Sequence, residues 1–201
     1  MRLAYFALCA SLFLASCINM PGRVSTDLDW QHRSAQLSAI SHWKATGKLA
    51  IRTNDKSESA SLVWNQAGNM THILLSGPMG LAATSIESDR EQLRVKRDGA
   101  TRTFDISSRE AITEGIGWDL PLQALPYWLR GLPAPSPDQK EQTPDQIVEQ
   151  GLLRQVKQLG WTVTYESYGQ FEQFALPTRL KIERNGTRAR MIIYNWTNFS
   201  S

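Results

Sequence analysis

The side chains able to carry acid–base or metal chemistry are few in this 201-residue chain, and they stand apart from one another. His32, His42 and His72 have no acidic or cysteine companions at ligand spacing, so their neighbourhoods encode neither a metal centre nor a base beside a nucleophile. His72 falls on the polar side of an alternating run and reads as a solvated or hydrogen-bonded imidazole. Glu110 and Glu114 lie four apart on one helical face, the spacing of a carboxylate pair for general acid–base work, but a solvated helix face explains them more simply. There is no nucleophile elbow, no phosphate loop ending in Gly-Lys-Ser/Thr, and no paired-histidine metalloprotease motif. The expectation is a chain without catalytic residues, metal or cofactor.

The reactive thiols point elsewhere. Arg2 precedes the apolar stretch from Leu3 to Leu14, which is too short to span a bilayer comfortably and ends in small residues, as a secretory signal does. The run Leu14-Ala15-Ser16-Cys17 resembles the bacterial lipobox, whose cysteine is diacylated, freed by cleavage and acylated again on its amine; the alternative is an ordinary signal that contains a cysteine. With a lipobox, Cys9 leaves with the signal, Cys17 becomes a thioether, and several acyl chains on one residue anchor the chain stably to a membrane. Residues 1–16 are then a signal peptide, 17–28 a lipidated N-terminus and tether carrying Pro21-Gly22, and 29–201 one domain.

The elements that follow are mostly strands. Asp27 or Asp29 is placed to cap a helix running through Trp30 to His42. Alternation then sets Leu49 and Ile51, Ala60, Leu62 and Trp64, Ile73 and Leu75, and Leu93 and Val95 against polar neighbours, the pattern of half-buried antiparallel strands. Asp98-Gly99 and Asn185-Gly186 are hairpin dipeptides, and turns at Asn54-Asp55 and Ala67-Gly68-Asn69 suit a meander. Ser107 to Gly115 and Leu120 to Leu132 return to helical patterning, with Pro126 interrupting the second. The prolines from Pro133 to Pro144 mark a loop, and alternation resumes from Leu152 through Trp196. The total is about nine to eleven strands in two groups.

Charge and composition narrow the partners. Lys and Arg number 22 against 19 Asp and Glu, scattered rather than clustered, so nucleic acid is not an expected partner. Arg94, Lys96, Arg97 and Arg102 form either a partner-facing patch or a solvated strand face. Seven tryptophans, at 30, 43, 64, 118, 128, 161 and 196, are many for one small domain; they either fill a core or line a cavity for an apolar ligand. Met79 and Leu81, set among Gly77, Pro78 and Gly80, place apolar side chains in a tight loop and are candidates for contact with a membrane or an acyl chain.

Several segments together resemble one family, the outer-membrane lipoprotein receptors of the LolB type. They are the lipobox at Cys17, Trp43-Lys44-Ala45-Thr46-Gly47-Lys48-Leu49-Ala50, Leu62-Val63-Trp64-Asn65-Gln66, and Leu74-Leu75-Ser76-Gly77-Pro78-Met79-Gly80. Further along come Leu125-Pro126-Tyr127-Trp128-Leu129-Arg130-Gly131-Leu132-Pro133, Pro177-Thr178-Arg179-Leu180-Lys181-Ile182 and Tyr194-Asn195-Trp196. The resemblance implies a mainly β (α+β) fold, a strongly curved, incomplete antiparallel barrel covered by helices around an apolar cavity. It implies a monomer that accepts lipoproteins from a LolA-like periplasmic carrier, holds their acyl chains, and delivers them to the inner leaflet of the outer membrane. Met79 stands where the family has a protruding leucine. The cavity is expected among Leu62, Trp64, Leu75, Leu125, Trp128, Trp161, Ile193 and Trp196. The rival functions are an anchored periplasmic module for another apolar ligand such as a glycolipid, and a non-catalytic envelope scaffold.

Overall fold

Two-residue turns set the architecture. At Asp98-Gly99 and Asn185-Gly186 both residues have positive φ, 51° and 79° in the first and 35° and 84° in the second, the geometry whose twist matches that of the flanking strands. Gln150-Gly151 and Leu159-Gly160 adopt the same left-handed pair without the Asn or Asp that would announce it. The chain thereby folds back on itself in hairpin after hairpin. The computed structural model describes residues 26–77, 83–89, 91–106, 109–135 and 144–201.

The elements are α1 (Thr26–Ala39), then β1 (His42–Arg52), β2 (Ser57–Ala67), β3 (Met70–Ser76), β4 (Thr84–Ser88), β5 (Gln92–Arg97) and β6 (Ala100–Asp105). The helices α2 (Arg109–Ile116) and α3 (Leu125–Leu129) follow. The second group of strands is β7 (Asp145–Glu149), β8 (Leu152–Gln158), β9 (Trp161–Phe171), β10 (Phe174–Arg184) and β11 (Thr187–Ser200). All eleven strands form one antiparallel sheet in the order β6-β5-β4-β3-β2-β1-β11-β10-β9-β8-β7. Two meanders are thus zipped together by the β1–β11 pairing, and the edges β6 and β7 are not joined, so the sheet is open. This agrees with the expected mainly β class.

Alternation turns one face of the sheet inward. Trp43, Ala45, Leu49 and Ile51 of β1, Leu62 and Trp64 of β2, Ile73 and Leu75 of β3, and Leu180 and Ile182 of β10 are buried in one core. The long strand β11 keeps both Ile193 and Trp196 inside although they are three residues apart, because the register shifts where Thr46 pairs with Asn195 and Gly47 with Ile193. The extra residue, Tyr194, is 58% exposed. Gly47 is required beside this bulge, since a Cβ there would fall 2.0 Å from the Ile192 carbonyl oxygen.

The helices depart from the sequence pattern in two places. The first begins at Thr26, inside the stretch assigned to the tether, and stops at Ala39, because His42 is already paired with Ala67 and Ser200 in the sheet. The helix expected over Leu120 to Leu132 is reduced to α3. Pro126 has no N–H to give and is tolerated only in a helix's first turn, so helix begins at Leu125 while the residues before it make a turn through the Ala124 N–H to Pro121 carbonyl bond of 2.9 Å. The end of α3 is a Schellman motif: Gly131, at φ 77°, donates to Trp128 and Leu132 donates to Tyr127. Strands β4 and β7 carry too little apolar alternation to be read from sequence. Thr84 and Ser88 of β4 are buried polar residues, and β7 is an edge strand with Ile147 exposed.

Candidate functional site

The inward residues of β1 to β4 meet the irregular segment between α2 and α3, and their apolar side chains leave a small void between them. Leu49, Leu62, Trp64, Ile73, Leu75 and Ile86 form the sheet side; Met191 of β11 joins them, and Ile116, Trp118, Leu120, Leu122 and Leu125 form the other side. The wall is entirely apolar, and the free space is about 20 Å³, room for a single water. Water gains nothing in such a place because no wall atom can hydrogen-bond it.

Beside the void lies an open groove of about 360 Å³, and Leu49, Leu75 and Trp118 are common to both. Its remaining wall is more polar: Glu58, Ser59 and Ala60 of β2, Gly77, Thr84 and Arg97, with Ile51 beneath. Arg97 is held in place by donating from Nε to Thr84 Oγ1 at 3.0 Å and from a terminal nitrogen to the Ile116 carbonyl at 3.3 Å. Trp118 Nε1 donates to Glu58 Oε2 at 3.2 Å across the groove. The site therefore grades from apolar inside to polar at its rim. Gly77 and Thr84 are also the stems of the loop that carries Met79 and Leu81, and those two residues lie outside the described ones, as does Cys17.

The eight expected cavity residues separate into two groups. Leu62, Trp64, Leu75 and Leu125 line the void. Trp128, Trp161, Ile193 and Trp196 are equally buried but lie in the core away from it. Trp128 donates to Gln158 Oε1 at 3.2 Å, and that glutamine in turn clamps both the N–H and the carbonyl of Ala134. Trp161 lies under the guanidinium of Arg184, 4.3 Å from the ring centroid, and Arg184 is paired with Asp119. Trp196 donates to the Pro177 carbonyl at 3.1 Å and packs at a tilt of 57° against Trp43, which also touches Trp64, with centroids 5.1 and 5.8 Å away.

Sequence alternation already set Leu49 and Ile73 on the inward face, next to Leu62 and Leu75, so their part in the wall was legible. Trp118 was not placed, because Gly117-Trp118 belongs to no periodic run.

His72 and Glu114 line neither the void nor the groove. His72 hydrogen-bonds Ser85 Oγ at 3.1 Å on the outer face. Glu114 is exposed, and Glu110's side chain lies outside those described. Arg94 pairs with Glu87 at 3.3 Å, both exposed. Complete burial pushes the Tyr165 phenol well up, keeping it protonated as it donates to the Trp128 carbonyl at 2.9 Å. Among the described residues no three His, Cys, Asp or Glu side chains converge as metal ligands.

An open, single-sheet antiparallel β fold whose inner face borders an apolar pocket with a polar rim defines the class. The chain belongs to the family described as outer membrane lipoprotein LolB, whose profile matches residues 41–196. It is similar to the outer-membrane lipoprotein LolB of Chromohalobacter salexigens, 34% identical over 84% of this chain and 76% of that one. The outer-membrane lipoprotein LolB of Cellvibrio japonicus is 32% identical over 96% of each chain. In fold, a crystal structure of a LolA superfamily protein from Nitrosomonas europaea matches with a TM-score of 0.51, covering 86% of this chain and 94% of that one at 10% identity.

Proposed function

We propose that this chain is an outer-membrane receptor that takes lipoproteins from a LolA-like periplasmic carrier and releases them into the inner leaflet of the membrane, without catalysis. The observation that carries the reading is the apolar void sharing a wall with an open groove, in a chain of this family. An acyl chain brought there from water is stabilised by about 0.8 kcal/mol per buried methylene, so a carrier needs only a sequence of increasingly favourable apolar sites and no chemical energy source. The polar rim suits the ester and amide groups at the head of the acyl chains, which keep their hydrogen bonds while the tails leave water.

In this reading Leu62, Trp64, Leu75 and Leu125 contact the acyl chains, and Trp128, Trp161, Ile193 and Trp196 hold the wall behind them rigid. Cys17 carries the anchor, residues 1–16 are removed, and the stretch before α1 tethers a monomeric domain to the membrane. The segment of Met79 and Leu81, which lies in sequence between the groove residues Gly77 and Thr84, enters the bilayer and gives the chains a continuous apolar exit.

The experiment is titration of a fluorescent fatty-acid probe into the chain carrying Cys17→Ala, so that no anchor lipid competes. Saturable binding that Leu75→Glu abolishes supports the reading. An absence of binding to a folded protein removes it, and with it the distinction from a scaffold.

A further inference from the structure

The void is too small for an acyl chain, so something in its wall must leave when a chain arrives. Three side chains, Leu49, Leu75 and Trp118, stand between void and groove. Leu49 and Leu75 are fixed: β1 is paired on both sides with β2 and β11, and β3 on both sides with β2 and β4. Their backbones cannot shift without breaking a strand out of the sheet, which leaves them only changes of side-chain rotamer. Trp118 belongs to no helix or strand.

Its attachments are those of a movable part. The preceding residue, Gly117, closes α2 by donating to the Thr113 carbonyl at 2.8 Å; it has φ 89°, and a Cβ on it would meet nothing within 4 Å. That is a backbone joint with room around it. On the other side Asp119 is paired with Arg184, which keeps the segment's far end in place. Between these two points the indole is half-buried, and its described polar contact is the exposed hydrogen bond to Glu58.

We propose that Trp118 is the displaceable wall of the acyl site. In the unloaded protein its indole fills the passage between groove and void, held there by Glu58; a chain entering from the groove turns it outward about Gly117 and takes its place. The entering chain covers the apolar wall that the indole leaves, so the site stays dry in both states. The inference rests on the acyl-chain reading above, and the test separates the two.

The chain carrying Cys17→Ala is labelled with 5-fluorotryptophan, the residue-118 resonance is assigned from Trp118→Phe, and a dansylated undecanoic acid is titrated in. The expected result is a shift of the residue-118 resonance towards the solvent-exposed position at saturation, with the resonance of buried Trp196 unmoved. In stopped flow, Trp118→Ala and Glu58→Ala are expected to speed probe association about tenfold and several-fold respectively. Probe binding with an unmoved residue-118 resonance and an unchanged association rate for Glu58→Ala overturns the displaceable wall and leaves the acyl site standing. Absence of binding in the wild-type sequence and in a folded Trp118→Ala variant overturns both. Binding by Trp118→Ala alone also overturns the displaceable wall, since an indole that excludes the probe from the wild-type protein is not turned aside by it.

Discussion

The guanidinium of Arg130, at the end of α3, donates to the main-chain carbonyl of Leu37, near the end of α1 and 93 residues away in sequence, at 2.8 Å. The same side chain donates to the carbonyls of Ile40 and Pro126 and lies over the ring of Tyr127. Burial holds its pKa below the ordinary arginine value, yet it remains a cation whose partners are peptide carbonyls left over at a helix end. One residue thus docks α1 onto the segment that closes the apolar pocket.

Arg130→Met is therefore expected to destabilise the fold by about 2–3 kcal/mol, because buried carbonyls lose a charged donor. Arg130→Lys recovers only part of this, since a point charge cannot reach three carbonyls as a planar fork does. Urea unfolding followed by circular dichroism checks both; a methionine variant as stable as wild type contradicts the assignment.

Two glycines predict different costs. At Gly47 an added methyl meets the Ile192 carbonyl oxygen, so Gly47→Ala must separate β1 from β11 and is expected to cost about 3 kcal/mol. At Gly99 an added methyl meets nothing, and Gly99→Ala suffers only the left-handed φ of 79°, a cost of about 1 kcal/mol. Thermal unfolding of the two variants should rank them in that order.

Trp43 and Trp196 pack against each other with tilted rings but differ in polar partners. The Trp43 indole N–H is buried with no hydrogen-bond partner among the described residues, whereas that of Trp196 is bonded to Pro177. Replacement by Phe removes the same volume at both sites. Trp196→Phe also orphans a carbonyl, so it should be the more destabilising by about 1–2 kcal/mol. Equal losses in denaturant titrations would show that the bond to Pro177 carries no weight.

Met79→Glu puts a carboxylate in the segment that lies in sequence between the groove residues Gly77 and Thr84. Acceptance of a lipoprotein should be intact and its delivery into liposomes impaired, because a charge in the bilayer is costly while the pocket is untouched. Normal delivery by this variant removes the insertion role of the loop.

Much of the fold was legible because the sheet has one buried face: Leu62 and Trp64, or Leu180 and Ile182, declare a strand and its orientation by alternation alone. The β4 strand was hidden because Thr84 and Ser88 put polar atoms on that face, and α3 was overestimated because Leu122, Leu125 and Leu129 keep a helical stripe that Pro126 forbids the backbone to follow. In the site, Leu62 and Leu75 were readable by the same alternation. Trp161 and Trp196 were not separable from them, since sequence shows that an aromatic is inward but not which part of a long sheet it faces. Trp118 was unreadable because its place is set by a glycine joint and a hydrogen bond to Glu58, a residue 60 positions away.

Receptor function is tested most directly by transfer of a lipoprotein bearing a labelled acyl chain from its purified periplasmic carrier to the chain carrying Cys17→Ala, followed by gel filtration. The label is expected to move to this protein without nucleotide or metal, and Leu75→Glu is expected to block the transfer. Label that stays on the carrier in the presence of the folded domain with an unaltered pocket would contradict the receptor role.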